Sequence, residues 1–592
     1  MLPIEATQNP TEPSRDLRRS PFVRRFLPVF LLLLAILLLA LVPPLVNVSR
    51  FKHRIVTSIS TTLGRPVHLD RVSLNLLPLP GFTLENFVVE EDSHFGYEPI
   101  IRANSVRVTL RASSLWRRKV EFSRIALDQP SLNLVHDANG RWNFENLILQ
   151  ASQISAAPTA QPTAGRDPRF PYMEATGARI NIKSGAAGQS GQEKLPFALT
   201  ETDLALWLPT PNQWHLRLSG HPARTDTNAS DTGTVELEGT FGRAKTFAQM
   251  PLDLTGRWRN APLGEASLVV LGRDANLRGD LALSAEIHGT LGANTVKADA
   301  QLSGLRRADF VPQHPLDINA ECQARSTGIF HAFHEIRCSW PPPAASDPAT
   351  SATKVLVVTG DLPDIRRPDT ASFEIGTPGL PASSLLNWLH VASASAPADE
   401  TASGTLTAKL AHGSIPASGA SQSAANWSGD LHLHGATLTA PSLGAEPFTL
   451  GDLSISSPGY TTAADPLAPA PVSSRNSGPG HRAARPTPEA NTTFLLAPTA
   501  LNLGGREPAL LEGRFDANGY TLHLTGTAIP SRLLALAAAL PQFGDGLPTL
   551  FPAPSATPAH IDLTASGAWT TPPTWTRTAA TTAPPRRRSQ RR

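Results

Sequence analysis

Cysteine is close to absent from this chain of 592 residues, which holds only Cys322 and Cys338. Two thiols cannot build a Cys-rich zinc site, and their spacing is wrong for a C-x-x-C redox motif. Charged residues are also sparse, at 17 %, and nearly balanced, with 52 basic against 49 acidic groups. A nucleic-acid binder would carry a concentrated basic stripe, so nucleic acid is not an expected partner. Catalytic motifs are missing too. There is no G-x-S-x-G elbow, no P-loop, no H-E-x-x-H and no G-x-G-x-x-G after a strand. The acidic residues are scattered at turns. His432 and His434 alternate in GDLHLHG, and His331 and His334 stand at i, i+3 in GIFHAFHE. Neither pair has an identifiable third metal ligand, and both read as solvent-facing. The expectation is a protein that is not an enzyme and holds no cofactor and no metal.

What is present begins with one long apolar run. Phe26 to Val46 spans 21 residues without a charge, with FLLLLAILLLALV at its centre. About 20 apolar residues cross a bilayer as a helix. Arg15, Arg18, Arg19, Arg24 and Arg25 precede it, and arginines so placed hold that end in the cytoplasm. A cleaved signal peptide would have a shorter apolar stretch and a small-x-small site after it. Here VPPLVNVSRF follows, so an uncleaved anchor is the expectation, with residues from about 47 onward translocated. Residues 45–63 read as a short amphipathic helix, because Val48, Phe51, Ile55 and Ile59 recur at helical spacing, and Gly64 and Pro66 stop it.

Beyond Pro66 the period changes to 2. Val72, Leu74 and Leu76 share one face of RVSLNLL. Val106, Val108 and Leu110 do so in SVRVTLR, and Leu132 and Leu134 in PSLNLV. Strict alternation predicts half-buried strands. The pattern continues for about 500 residues as an irregular repeat of strand and turn. Two short helices are predicted, over 381–390 and 530–540. Each follows a strand and begins with proline and serine, as one unit used twice. The 55 prolines cluster in linkers at about 151–168, 340–353, 392–403 and 460–492. These boundaries divide the chain into a cytoplasmic segment 1–25, an anchor 26–46 and an N-terminal region 47–150. β-rich regions follow over 169–340, 354–459 and 493–570, then a basic low-complexity tail 571–592. Cys322 and Cys338 lie in two strand-like stretches with a turn between. A disulfide across neighbouring strands and a pair of buried thiols both remain open. The apolar faces leave two architectures open as well, an open greasy channel and a dry two-sheet sandwich.

Residues 61–147 resemble the N-terminal region of the AsmA family. The resemblance is carried by TTLGRPVHLDRVSLNLLPLPGFTLENFVV, by SVRVTLRASSLWRRKVEFSRIALDQPSLNLV and by HDANGRWNFENL. Its motif positions are Gly64, Pro66, Pro78, Gly81, Gly140, Trp142 and Asn143. Trp142 and Asn143 read best as a structural plug at the end of the first sheet. The resemblance is looser through 169–340 and weakest after 400. It implies a mainly β fold of the chorein/AsmA type. A transmembrane helix and a short amphipathic helix would precede a long, curled, groove-like antiparallel sheet with few short helices. It also implies a single-pass protein of the bacterial inner membrane, with its N-terminus cytoplasmic and its bulk periplasmic. Such a protein would support outer-membrane biogenesis by carrying phospholipid along the groove. Val72, Leu74, Leu76, Val106, Val108, Leu110, Leu132 and Leu134 would then line the groove. Phospholipid, the membrane and membrane proteins of either envelope layer are the expected partners. The alternative is an assembly factor for outer-membrane proteins that carries no lipid.

Overall fold

The computed structural model describes residues 28–37, 49–75, 79–111, 121–137, 141–161, 167–184, 197–341, 356–365, 370–414, 425–457, 493–540, 544–553, 555–569 and 571–577. Leu76, Pro78 and Gly140 lie outside these residues, as does the stretch 460–492. The alternation seen in the sequence becomes a single sheet of 26 strands. The regions expected as separate units are successive stretches of it. Three pairs of strands share a lane. Val67–His68 and Arg71–Asn75 both pair with Gly81–Val89. Phe122–Asp128 and Ser131–His136 both pair with Ile101–Leu110. Phe448–Thr449 and Leu453–Ser456 both pair with Ala425–Thr439. The 23 resulting lanes at ~4.8 Å give a sheet about 105 Å wide along its surface.

All neighbours are antiparallel except at one join. Phe122–Asp128 and Ser131–His136 run parallel to Tyr172–Ser184. A parallel join needs a crossover, usually helical. The described residues 141–161 and 167–171 lie on it, with a helix over Glu145–Gln153. The stretch 151–161, expected as part of a linker, is held in place here. The Thr159 hydroxyl accepts the Leu208 amide at 2.9 Å, and Arg243 donates to the Ile154 carbonyl at 3.1 Å.

The five helices that matter are α1 (Ser49–Leu63), α2 (Glu145–Gln153), α3 (Leu263–Leu271), α4 (Ala382–Ala392) and α5 (Pro530–Ala539). Gly64 ends α1 with φ +66°, the left-handed conformation that a helix C-terminus commonly needs. Val48 and the Phe51 side chain lie outside the description. Ile55, Val56, Ile59 and Leu63 of α1 pack on the first strands, against Val67, Val72, Leu84 and Val106. The amphipathic side of α1 is thus spent on the sheet. Residues 28–37 are helical with exposed apolar side chains. The rest of the expected anchor, 26–27 and 38–46, is outside the described residues. Among the described residues no helix is long and apolar enough to cross a membrane.

Helices α3, α4 and α5 repeat one arrangement. Each follows a strand (Pro251–Pro262, Ser372–Pro381, Tyr520–Ala528), and each starts at a proline. Pro262 and Pro381 are the N-caps of α3 and α4, and Pro530 is the first residue of α5. Proline suits this point because the first helical amides have no partner anyway. The three strands are six lanes apart, so they run the same way and put all three helices on one rim. Sequence reading finds α4 and α5 but misses α3.

Cys322 and Cys338 stand directly opposite on neighbouring strands and form a disulfide, with Cα atoms 4.0 Å apart. Closing a hairpin loop of this size restricts the unfolded chain by about 3 kcal/mol. Replacing both cysteines by serine is expected to lower the stability of strands Leu316–Thr327 and Ala332–Trp340 by that amount. Amide exchange in these strands, with and without reductant, reads it directly.

Candidate functional site: an apolar sheet face and a distal cavity

Residues that stand side by side across a sheet point to the same face. One such row crosses 17 lanes without a break. It runs Val72, Leu84, Val106, Leu127, Ala175, Leu204, Leu218, Leu237, Gly256, Ala285, Ala298, Cys322, Cys338, Val358, Ile375, Leu410 and Gly429. One step along the strand that holds Leu410, Ala408 carries the same face on. It continues through Leu431, Ile455, Leu496, Gly513, Leu522, Ala565 and Trp575. No position in either row is charged. The disulfide lies in the row. The opposite face alternates with it and is polar, as in Glu286, Lys297, Gln323, Arg337, Thr359 and Glu374.

The apolar face is covered at its two ends, and between them, among the described residues, no second sheet lies over it. At the N-terminal end α1 closes it, and α2 extends the cover. Phe144 and Leu147 of the α2 segment touch the first core. Phe144, Ile148 and Leu149 also touch a second core of Leu208, Trp214, Phe247 and Met250. At about 1.5 Å per residue the nine-residue helix is about 14 Å long, enough to bridge the two cores. Among the described residues between 277 and 375, only Leu305 and Ala332 are buried apolar side chains. Ala285, Ile287, Val296, Ala298, Val358 and Ile375 are half-buried there. Among the described residues no second sheet packs on them, so the sandwich expectation fails.

The proposed groove residues fall at different places along this face. Val72 and Val106 are buried beneath α1. Val108 packs at the edge of the same core, and Leu74 is half-buried. Leu110 stands opposite Phe122, and Leu132 and Leu134 stand opposite Ile180 and Ile182. They do not come together in one pocket.

Of the AsmA-like motif residues, Asn143 takes part in a buried polar knot, together with Arg65 between Gly64 and Pro66. Arg65 forms an ion pair with Glu91, with side chains 8 % and 1 % exposed. Arg65 donates to the Asn143 carbonyl at 2.7 Å. The Asn143 side chain donates to Glu91 and to the Asn133 carbonyl at 2.8 Å, and it accepts the Val135 amide at 3.0 Å. The Trp142 ring packs at a tilt against those of His136 and Phe144, at 4.9 and 5.5 Å between centroids. Every group in the knot serves another, so it holds the turn 141–143 against the first strands. Gly81 is fixed by packing, since a Cβ there would sit 2.3 Å from the Val108 carbonyl oxygen.

At the far end the face closes round a cavity of about 530 Å³, within the size range of small-molecule sites. Its walls include Leu433, Leu496, Leu522 and Trp575 from the sheet. Leu385, Leu386 and Leu389 come from α4, and Leu533 and Leu536 from α5. The final strand, Thr574–Arg577, brings in Trp575, so ordered structure extends past residue 571, where the tail was expected to begin. The segment after α4, expected as a solvated linker, contains a buried Glu400. Its side chain is 0 % exposed, and both oxygens lack a hydrogen-bond partner. Burial pushes its carboxyl up from 4.5 to about 7. Nothing in PADETASG distinguishes this glutamate from a solvated one.

Among the described residues no group of three or more His, Cys, Asp or Glu is placed to hold a metal. His432 and His434 face Asp430 and Asp452 separately, at 3.0 and 3.4 Å.

The chain therefore falls among mainly β proteins built on one long, curled, open sheet with an apolar face. The model of the AsmA family matches residues 25–173, which bears out the AsmA resemblance read from residues 61–147 and extends it on both sides. No curated protein and no solved structure matches the chain.

Proposed function

We propose that this protein is a carrier of phospholipid acyl chains along the apolar face of its sheet. It is anchored in the bacterial inner membrane by the run 26–46, and its bulk lies in the periplasm. The carrying observation is the unbroken row from Val72 to Gly429, on which, among the described residues, no second sheet packs over residues 277–375. Bare apolar surface costs about 25 cal/mol for each Å² left in water. Acyl chains relieve that cost without needing fixed polar partners, and none line the row. The service is to outer-membrane biogenesis, in line with the AsmA match. It involves no catalysis, no cofactor and no nucleic acid. The arginines before residue 26 and the apolar side chains exposed all round 28–37 support the anchor.

The test uses the full chain with photocrosslinking residues at single positions. Probes at Ile287 and Val296 are expected to capture phospholipid. Probes at their outward neighbours Glu286 and Lys297 are expected to capture none. Equal labelling of both faces, or capture of proteins alone, defeats the proposal, and the latter favours an assembly factor.

A further inference from the structure

Among the described residues, Glu400 alone has both carboxylate oxygens buried without a hydrogen-bond partner. It sits at a joint. Just before it, α4 lines the distal cavity with Leu385, Leu386 and Leu389. Just after it, Ala402 and Ser403 line the same cavity from the sheet. The C-terminal end of α4 is the negative end of its dipole, which further disfavours a carboxylate nearby.

The charged and titratable groups around the joint do not neutralise it. On α4, His390 stands 3.9 Å from Glu400 but gives its ring N–H to the Pro397 carbonyl at 2.9 Å. From strand Ala293–Arg307, the Arg307 guanidinium binds the Ala392 carbonyl at 2.7 Å and pairs with Asp309. On strands Leu316–Thr327 and Ser372–Pro381, Arg325 pairs with Glu335, and Glu374 with Lys409 of strand Thr401–Ser414. Asp317 accepts the Gly304 amide. Glu321 stands in register with Asp299 and Ser339, on the polar face. Asp399 is exposed.

We propose that Glu400 is a proton-operated latch for α4. Protonated, it lets the helix seat over the distal cavity. Ionised, it releases the helix and opens the cavity to acyl chains. The acyl-chain part rests on the function proposed above, whereas the latch does not. The sign follows from linkage. The seated state holds its proton up to about pH 7, while a solvated glutamate gives it up near 4.5. Seating is therefore fully favoured below about 4.5. Opening should rise about tenfold per pH unit from there to about 7, then level off.

The experiment measures amide exchange of residues 382–392 in the full chain between about pH 5 and about pH 8, corrected for intrinsic exchange. The wild-type chain is expected to show that tenfold-per-unit rise and plateau. Glu400→Gln, uncharged at every pH, is expected to stay flat. His390→Gln is expected to keep the rise. A flat wild-type profile, a rise retained in Glu400→Gln, or one abolished by His390→Gln overturns the latch. Uptake of the apolar dye phenylnaphthylamine should follow the wild-type opening curve. If exchange responds and dye uptake does not, the latch stands and the acyl-chain role of the cavity falls.

Discussion

Arg65→Ala is expected to lower the stability of the N-terminal region by about 3–5 kcal/mol, because it leaves Glu91 buried, charged and unpaired. Asn143 would not compensate. Its side-chain amide already donates to both Glu91 and the Asn133 carbonyl, and its carbonyl loses the Arg65 donor. A loss of this size speeds amide exchange in strands Gly81–Val89 and Ile101–Leu110 by about two to four orders of magnitude. Replacing the pair together, as Arg65→Met with Glu91→Leu, is expected to cost less than the two single changes summed, since no lone charge remains. If Arg65→Ala exchanges like wild type, the knot is not what holds the turn at Asn143.

Ile287→Asp is expected to abolish lipid capture while leaving the fold intact. Ile287 pairs with Leu254 and Val296 on the bare stretch of the apolar face. A carboxylate there keeps part of its hydration, so the expected loss of stability is about 1 kcal/mol or less, in the range of surface changes. An acyl chain passing over it would strip that water, and burying an unpaired charge is strongly unfavourable. Co-purifying phospholipid should fall at least about tenfold, which needs only 1.4 kcal/mol. Leu563→Asp is the contrast. Leu563 is 1 % exposed in the distal core, so there the charge should unfold its surroundings. Phosphorus assay and amide exchange on the two variants separate the outcomes. Undiminished lipid with Ile287→Asp would remove the bare stretch from the path.

Much of this was legible in the sequence. Alternation of apolar and polar residues placed the strands at Arg71–Asn75, Ile101–Leu110 and Ser131–His136, because period 2 has one physical cause. The proline and serine before SLLNWL and RLLALAAAL gave α4 and α5. Other parts were hidden for definite reasons. LGEASLVVL ends in a short apolar run that serves a buried strand as well as a helix, so α3 was missed. ENLILQASQ straddles the close of the N-terminal region at 150 and the linker that begins at about 151, so its helix goes unread. Two of the named groove residues, Val72 and Val106, proved to be core beneath α1. Alternation tells which face a residue takes but not what covers that face. The knot joins Arg65, Glu91, Asn133 and Asn143 from four separate segments, a juxtaposition that local pattern does not encode.

The helices α3, α4 and α5 recur every six lanes, which at ~4.8 Å per lane is about 29 Å of sheet. Six is an even number, and that has a consequence for how such a protein can change length. Inserting or deleting one six-lane block returns the chain to the same direction and the same rim. The helices stay aligned and no apolar side chain is turned outward. An odd block would reverse the strand direction and put the next helix on the opposite rim. The molecule is thus graduated like a ruler, and homologues of different reach are expected to differ by whole divisions of about 29 Å.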